Sequence, residues 1–196
     1  MPILAREVDQ YPGNLLNIAS ASRDTELAWS VFYTYPRREK QLMRYLLARR
    51  IPFYGPVIPR RFQSSSGIAR TSYIPLFSNY VFLFGDESQR YQAMASNCVL
   101  KRFFVSIQAR FTTELDQIRR LIEMGRPLIP ETRLLHGDRV RVTSGSFAGF
   151  EGTIIRRGKT IRLLVTIDFM QNGVLVELDD CQMERIEIDN HEMTAK

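Results

Sequence analysis

The ten residues 75–84, PLFSNYVFLF, constrain the chain more than any other stretch. A proline and a Ser-Asn turn signal lead into a run of strand formers that stops at Gly85-Asp86. Val81 and Leu83 alternate with Tyr80, Phe82 and Phe84, so successive side chains point to opposite faces of a sheet. Both faces are apolar, whereas a surface strand of an antiparallel sheet alternates apolar with polar residues. One face therefore meets a core, and the other meets a helix or a partner. Two readings stand side by side. The strand is central and covered on both sides, or part of its aromatic set is an exposed docking pocket.

The residues before this strand supply its neighbours. Residues 27–36 (LAWSVFYTYP) read as a first strand, with Trp29, Val31 and Tyr33 on one face and Ser30, Phe32 and Thr34 on the other. Pro36 suits a first helical turn. Residues 37–50 read as that helix, its stripe made by Leu42, Met43, Leu46 and Leu47, and Pro52 stops it. Residues 53–71 read as an irregular, hairpin-like excursion around QSSSG, flanked by Arg60, Arg61 and Arg70. Residues 86–95 read as a short helix with Tyr91 and Met94 inward, and residues 99–106 as a strand. A last helix follows, with Thr113 and Asp116 at capping-box spacing. Its apolar stripe is Leu115, Ile118, Leu121 and Ile122, and Gly125 is its C′ residue.

The second part of the chain differs in kind. Residues 126–135 (RPLIPETRLL) bring two prolines and no period, which marks a linker and a domain boundary. Beyond it, strands are short and turns frequent. Residues 160–170 place Ile161, Leu163, Val165, Ile167 and Phe169 on one face, and Asn172-Gly173 is a strong hairpin signal. The β-branched runs and this turn argue for strands rather than a helical alternative. The expected architecture is an α+β N-terminal domain, a mostly antiparallel sheet flanked by helices, followed by a small all-β barrel. The expected boundaries are a flexible tail at 1–26, the first domain at 27–125, a linker at 126–135, the barrel at 136–188 and a tail at 189–196.

Charge narrows the function. The net charge is +6, but residues 28–73 carry nine Lys/Arg against one acid, Glu39, a local excess of +8 that leaves −2 for the rest. A basic block confined to one region marks a polyanion-facing surface, set against the plainer reading of a solvated helix face. The hydrophobic fraction of 44% is that of a globular chain. No apolar run reaches membrane-spanning length, and the first residues lack a secretory pattern. Cys98 and Cys181 have no CxxC spacing, so reduced thiols and a cytoplasmic location are expected.

Two motifs then carry a resemblance. GDRVRVTSGSFAGFEGTI (residues 137–154) resembles the KOW motif that opens an SH3-like barrel. WSVFYTYPRREKQLMRYL and PLFSNYVFLF resemble the first strand–helix and the central strand of the N-terminal domain of the NusG family of transcription elongation factors. The order and length match that family, with a tilt to its specialised RfaH/UpxY-like antitermination members from the basic N-terminal part and the Ser78-Asn79 pair. The resemblance implies a factor, not an enzyme, that spans the cleft of bacterial RNA polymerase. Its implied polymerase contacts are Phe77, Tyr80 and Phe82, with Tyr33. Contact with the non-template DNA strand is implied near Tyr35, Arg38, Gln41 and Tyr45, to which charge adds Arg37 and Arg44. The family's second polymerase contact is matched only by Tyr91-Gln92-Ala93. The KOW loop, through Ser146, Phe147 and Phe150, is implied to recruit a small-subunit ribosomal protein or the termination factor Rho. A monomer without cofactor or metal is expected. The alternative from another class is a ribosome- or RNA-associated KOW protein with a structural role.

Catalytic motifs are weak. GTIIRRGKT (residues 152–160) approaches a phosphate-binding loop, but five residues separate its glycines where four are needed, and the expected context is strand–turn–strand. His136 and His191 have no partners at metal spacing, and Asp179-Asp180 reads as a solvated strand end.

Overall fold

The computed structural model describes residues 6–63, 69–131, 137–157, 160–178 and 181–186. They fall into two compact units, Met1–Asp116 and Gln117–Lys196. The first is α+β, and the second is all-β after the end of one helix, the architecture expected from the pattern. In chain order the first unit contains β1 (Gln10–Tyr11), α1 (Leu15–Ala21), β2 (Ala28–Thr34), α2 (Glu39–Ala48), β3 (Phe53–Tyr54), β4 (Val57–Gln63), β5 (Ala69–Pro75), β6 (Tyr80–Gly85), α3 (Glu87–Met94) and β7 (Val99–Phe104). The next helix, α4 (Gln108–Glu123), carries the boundary between the units.

The aromatic strand is the middle of a five-stranded sheet with order β1-β3-β6-β2-β7, antiparallel throughout. Tyr33 lies opposite Tyr80, Val31 opposite Phe82 and Trp29 opposite Phe84, so these six share one face. On the other face Phe32, Val81 and Leu83 join Leu42, Met43 and Leu46 of α2 and Ala93 of α3 in one buried cluster. The i,i+3/i+4 stripe of α2 is therefore spent on the sheet, each fully buried leucine contributing about 2 kcal/mol.

The aromatic face is covered as well. Phe111 of α4 sits edge-on to Phe82, with ring centres 5.6 Å apart, and 6.0 Å from Trp29. The Trp29 indole N–H donates to Thr112 Oγ1 at 2.9 Å, and Gln108 bonds both the N–H and the C=O of Trp29. Periodicity left two readings of this strand; in the first unit most of it is a core element with a helix on each side.

Several expectations need correction. The stretch expected as a tail is partly ordered: β1 pairs with β3, and Leu15 and Leu16 of α1 are buried. Two residues of strand and two leucines are too short a signal for a periodicity reading. The α3 phase also differs. Asp86 caps the helix through a reciprocal bond with Gln89, which turns Arg90 and Ala93 inward and leaves Tyr91 75% exposed and Met94 at the surface. Thr113 caps nothing, because α4 starts five residues earlier. Its hydroxyl donates to the Ala109 carbonyl one turn back. Gly125 does take the left-handed conformation, at φ 67°, directly after that helix.

The second unit holds β8 (Leu128–Glu131), β9 (Asp138–Val142), β10 (Glu151–Arg157), β11 (Thr160–Ile167), β12 (Asn172–Glu177) and β13 (Met183–Arg185). They form one sheet in the order β13-β9-β10-β11-β12-β8. Residues 128–131, expected within a linker, are thus its edge strand, paired with β12. Pro130 is tolerated there because an edge strand has one side free of ladder bonds.

The β11–β12 hairpin turns earlier than its sequence signal. Asp168–Met170 forms a 3-10 turn and Gln171 is left-handed, whereas Asn172 and Gly173 already pair with Ile167 and Thr166. Leu163, Val165 and Ile167 face the core as expected, while Ile161 and Phe169, at the strand ends, are exposed. Gly173 serves a close approach rather than a turn: a Cβ there would lie 2.7 Å from the Val165 carbonyl oxygen.

Candidate functional site

The four aromatic residues expected at a docking surface divide into two pairs. Phe82 is 0% and Phe77 5% exposed, their rings 6.1 Å apart. Tyr33 and Tyr80 are half-buried at the end of the same face, their ring centres 5.2 Å apart. Burial, and secondarily Tyr33, pushes the Tyr80 phenol above its ordinary range. The tyrosine pair is the part of this face that presents both an apolar body and a hydroxyl to solvent.

Next to it lies the start of α2. Glu39 is 6% exposed, and its Oε1 accepts from the Asn79 backbone N–H at 2.7 Å. Asn79 is left-handed, at φ 68°, and its carbonyl accepts from Thr34 N. The carboxylate therefore holds the turn before β6 against the end of β2, beside the tyrosine pair. The one acid of the basic segment is an internal clamp that faces this turn rather than solvent.

The basic surface is built by the turn before α2 and the outer side of the helix. Tyr35, Arg37, Arg38, Gln41 and Arg44 are exposed and Tyr45 is half-buried. Helix α2 starts at Glu39 rather than at Arg37, because Arg37 is left-handed at φ 64°. Arg38 donates to Gln41 Oε1, and Arg44 pairs with Glu7 at 3.5 Å. Sequence reasoning missed Arg49, whose guanidinium lies 3.6 Å from the centre of the Tyr45 ring. The available signal was spacing: Arg38, Gln41, Tyr45 and Arg49 recur at helical intervals, so they share one side of α2. Cations and aromatic rings in one stripe suit phosphates and unstacked bases.

The loop after β9 is folded on itself. Gly145 and Gly149 have φ of 80° and 84°, and Gly149 N donates to the Val142 carbonyl at 2.8 Å. Ser146 is exposed, but Phe147 and Phe150 are each 1% exposed, edge-on to each other at 6.1 Å. Within the second unit the Arg120 guanidinium lies 4.4 Å from the Phe150 ring centre and that of Arg126 lies 5.8 Å from Phe147. Gln117 accepts from Glu151 N at 2.8 Å. The loop aromatics are thus covered rather than presented.

The phosphate-loop look-alike lies on the antiparallel pair β10 and β11, with Arg157 opposite Thr160. Gly158, Lys159, His136, His191 and Asp179-Asp180 fall outside the described residues. Among the described residues no helix is long and apolar enough to cross a membrane.

With the geometry in view, comparison with known proteins gives one family match: the KOW motif, over residues 136–157. No curated protein matches the chain. A solved structure titled for domain interaction in Thermotoga maritima NusG is 21% identical, covers 82% of this chain and 98% of its own, and has a TM-score of 0.43. A structure of the MjSpt4:Spt5 complex is 14% identical, covers 82% and 99%, and has a TM-score of 0.25. Both scores are too low to carry a functional assignment.

Proposed function

We propose that this chain is a transcription elongation factor of the NusG kind, with a tilt toward specialised antitermination members. The observation that carries the reading is the KOW motif of residues 136–157, set on an all-β unit that follows an α+β unit. In this reading the first unit binds bacterial RNA polymerase through the face made by Tyr33, Phe77, Tyr80 and Phe82. The tyrosines form the contact, and the two phenylalanines support them from the core. The outer side of α2 meets the displaced non-template strand through Tyr35, Arg37, Arg38, Gln41, Arg44 and Tyr45, with Arg49 added. Ser146 is the part of the KOW loop that a ribosomal protein or Rho meets first. Phe147 and Phe150 join only after leaving Arg120 and Arg126.

The two surfaces of the first unit have different salt responses. Neutralising four phosphates through α2 lowers affinity roughly 100-fold between about 50 and 200 mM salt. An aromatic anchor contributes about 2 kcal/mol with little salt dependence. The helix therefore tunes recruitment while the aromatic face holds the complex.

The test is transcription by purified bacterial RNA polymerase on a template with a strong pause, with and without the full chain. A change in pause lifetime that is lost in Tyr80→Ala supports the reading. No change, together with stable binding to small ribosomal subunits, would support a ribosome-associated KOW protein instead.

A further inference from the structure

Strands β4 and β5 pair only with each other, as a two-stranded ribbon outside both larger sheets. Its base is fixed: Val57 is buried, Tyr73 packs on the core of the first unit, and Lys40 Nζ donates to the Tyr73 carbonyl at 2.6 Å. Further out, the register places Arg60 opposite Ser72, Arg61 opposite Thr71 and Arg70 opposite Phe62. Arg60 and Arg61 are exposed and Arg70 half-exposed. Several arginines elsewhere pair with carboxylates, as in Arg102–Glu87, Arg119–Glu123, Arg141–Glu151 and Arg185–Asp138. On the ribbon none does among the described residues, and the sequence holds no Asp or Glu from residue 40 to residue 85.

We propose that this ribbon is a DNA-duplex-binding arm, distinct from the side of α2 assigned above to a single strand. Arginine guanidiniums and Ser/Thr hydroxyls are among the usual phosphate-contacting groups, and the ribbon brings Arg60 and Arg61 opposite Ser72 and Thr71. Arg60 and Arg70 share one face as diagonal neighbours, and Arg61 lies on the other. Cations on both faces of a narrow ribbon fit a groove with phosphate walls on either side. The B-form major groove admits a two-stranded ribbon, whereas the A-form groove of double-stranded RNA is too deep and narrow. A protein strand added to the edge is disfavoured, because Pro59 lacks the N–H that a ladder needs. Bound to duplex, the arm adds phosphate contacts that α2 alone does not make, which gives the chain a second, structurally separate hold on DNA.

The test needs no polymerase, so its failure leaves the proposed function intact. Binding of the full chain to a random-sequence DNA duplex, to single-stranded DNA and to double-stranded RNA of equal length is measured by fluorescence anisotropy at several salt concentrations. In the triple variant Arg60→Ala, Arg61→Ala, Arg70→Ala the duplex slope of log affinity against log salt falls by about 2.7, so the defect is about 40-fold larger at 50 than at 200 mM. Single-strand affinity stays unchanged. Lysine at the same three positions, which keeps the charge, restores duplex binding and controls for folding. Equal losses on single strand and duplex, an unchanged duplex slope, or tighter binding to double-stranded RNA than to DNA would each overturn the proposal.

Discussion

Replacing Phe82 separates a core strand from a docking strand. The side chain is 0% exposed, with Phe111, Phe77 and Tyr54 at 5.6, 6.1 and 6.4 Å between ring centres. Phe82→Ala removes a fully buried ring and leaves a cavity under α4, a change that costs about 3–5 kcal/mol. Against a total stability of about 5–15 kcal/mol, that is about a fifth or more of what holds the unit together. Phe82→Leu keeps most of the volume and should cost about 1 kcal/mol. Tyr80 is half-buried, so Tyr80→Ala should cost less than half as much as Phe82→Ala. Urea unfolding followed by the fluorescence of Trp29, the single tryptophan, reports on this unit, because Trp29 lies against Phe84 and Phe111. The expected order is Phe82→Ala far below Phe82→Leu and Tyr80→Ala, with an unchanged denaturant slope. A Phe82→Ala midpoint within about 1 kcal/mol of wild type would refute the core assignment and return the whole strand to the docking surface.

Other substitutions probe the neighbouring features. Glu39→Ala leaves the Asn79 amide without its partner at a part-buried position, so stability should fall by about 1 kcal/mol; an Asn79 amide that exchanges no faster in the variant would remove the clamp from the account. Phe147→Ala should lower the stability of the second unit by about 3 kcal/mol or more while Ser146→Ala is neutral, as read by amide exchange in β9 and β10; equal, small effects would mean that the loop aromatic is presented rather than packed. Because the folded state raises the Tyr80 phenol pKa, it holds that proton more tightly than the unfolded chain. The contribution is full below the unfolded value and is lost as pH rises past about 10 toward the folded one. Tyr80→Phe should flatten the alkaline fall in stability, and an identical fall in the variant would assign it to other groups.

Much of the first unit was legible because its signals are long. The alternation of residues 80–84, the leucine stripe of α2 and the proline stops each repeat a period over several residues, and a sheet or helix has few other ways to bury them. The β4–β5 hairpin followed from a turn-forming stretch between two extended runs, and the KOW motif from a glycine-spaced loop. Short signals failed. β1 and β8 are two and four residues long, and each owes its place to a partner strand far away in sequence.

The sequence by itself determined which residues are apolar, where the periods change, and that one segment is basic with a single acid. It therefore settled the α+β then all-β order and the cationic character of α2 and the ribbon. Only tertiary structure decided which apolar faces remain open. Phe82 and Phe147 carry the same hydrophobic signal as an exposed anchor, and both are covered: Phe82 by Phe111, and Phe147 by Phe150 and Arg126. It also decided that Glu39 turns inward to Asn79 while Arg49 lies on Tyr45 at the surface. Burial depends on contacts between residues distant in the chain, and local periodicity holds no information about them.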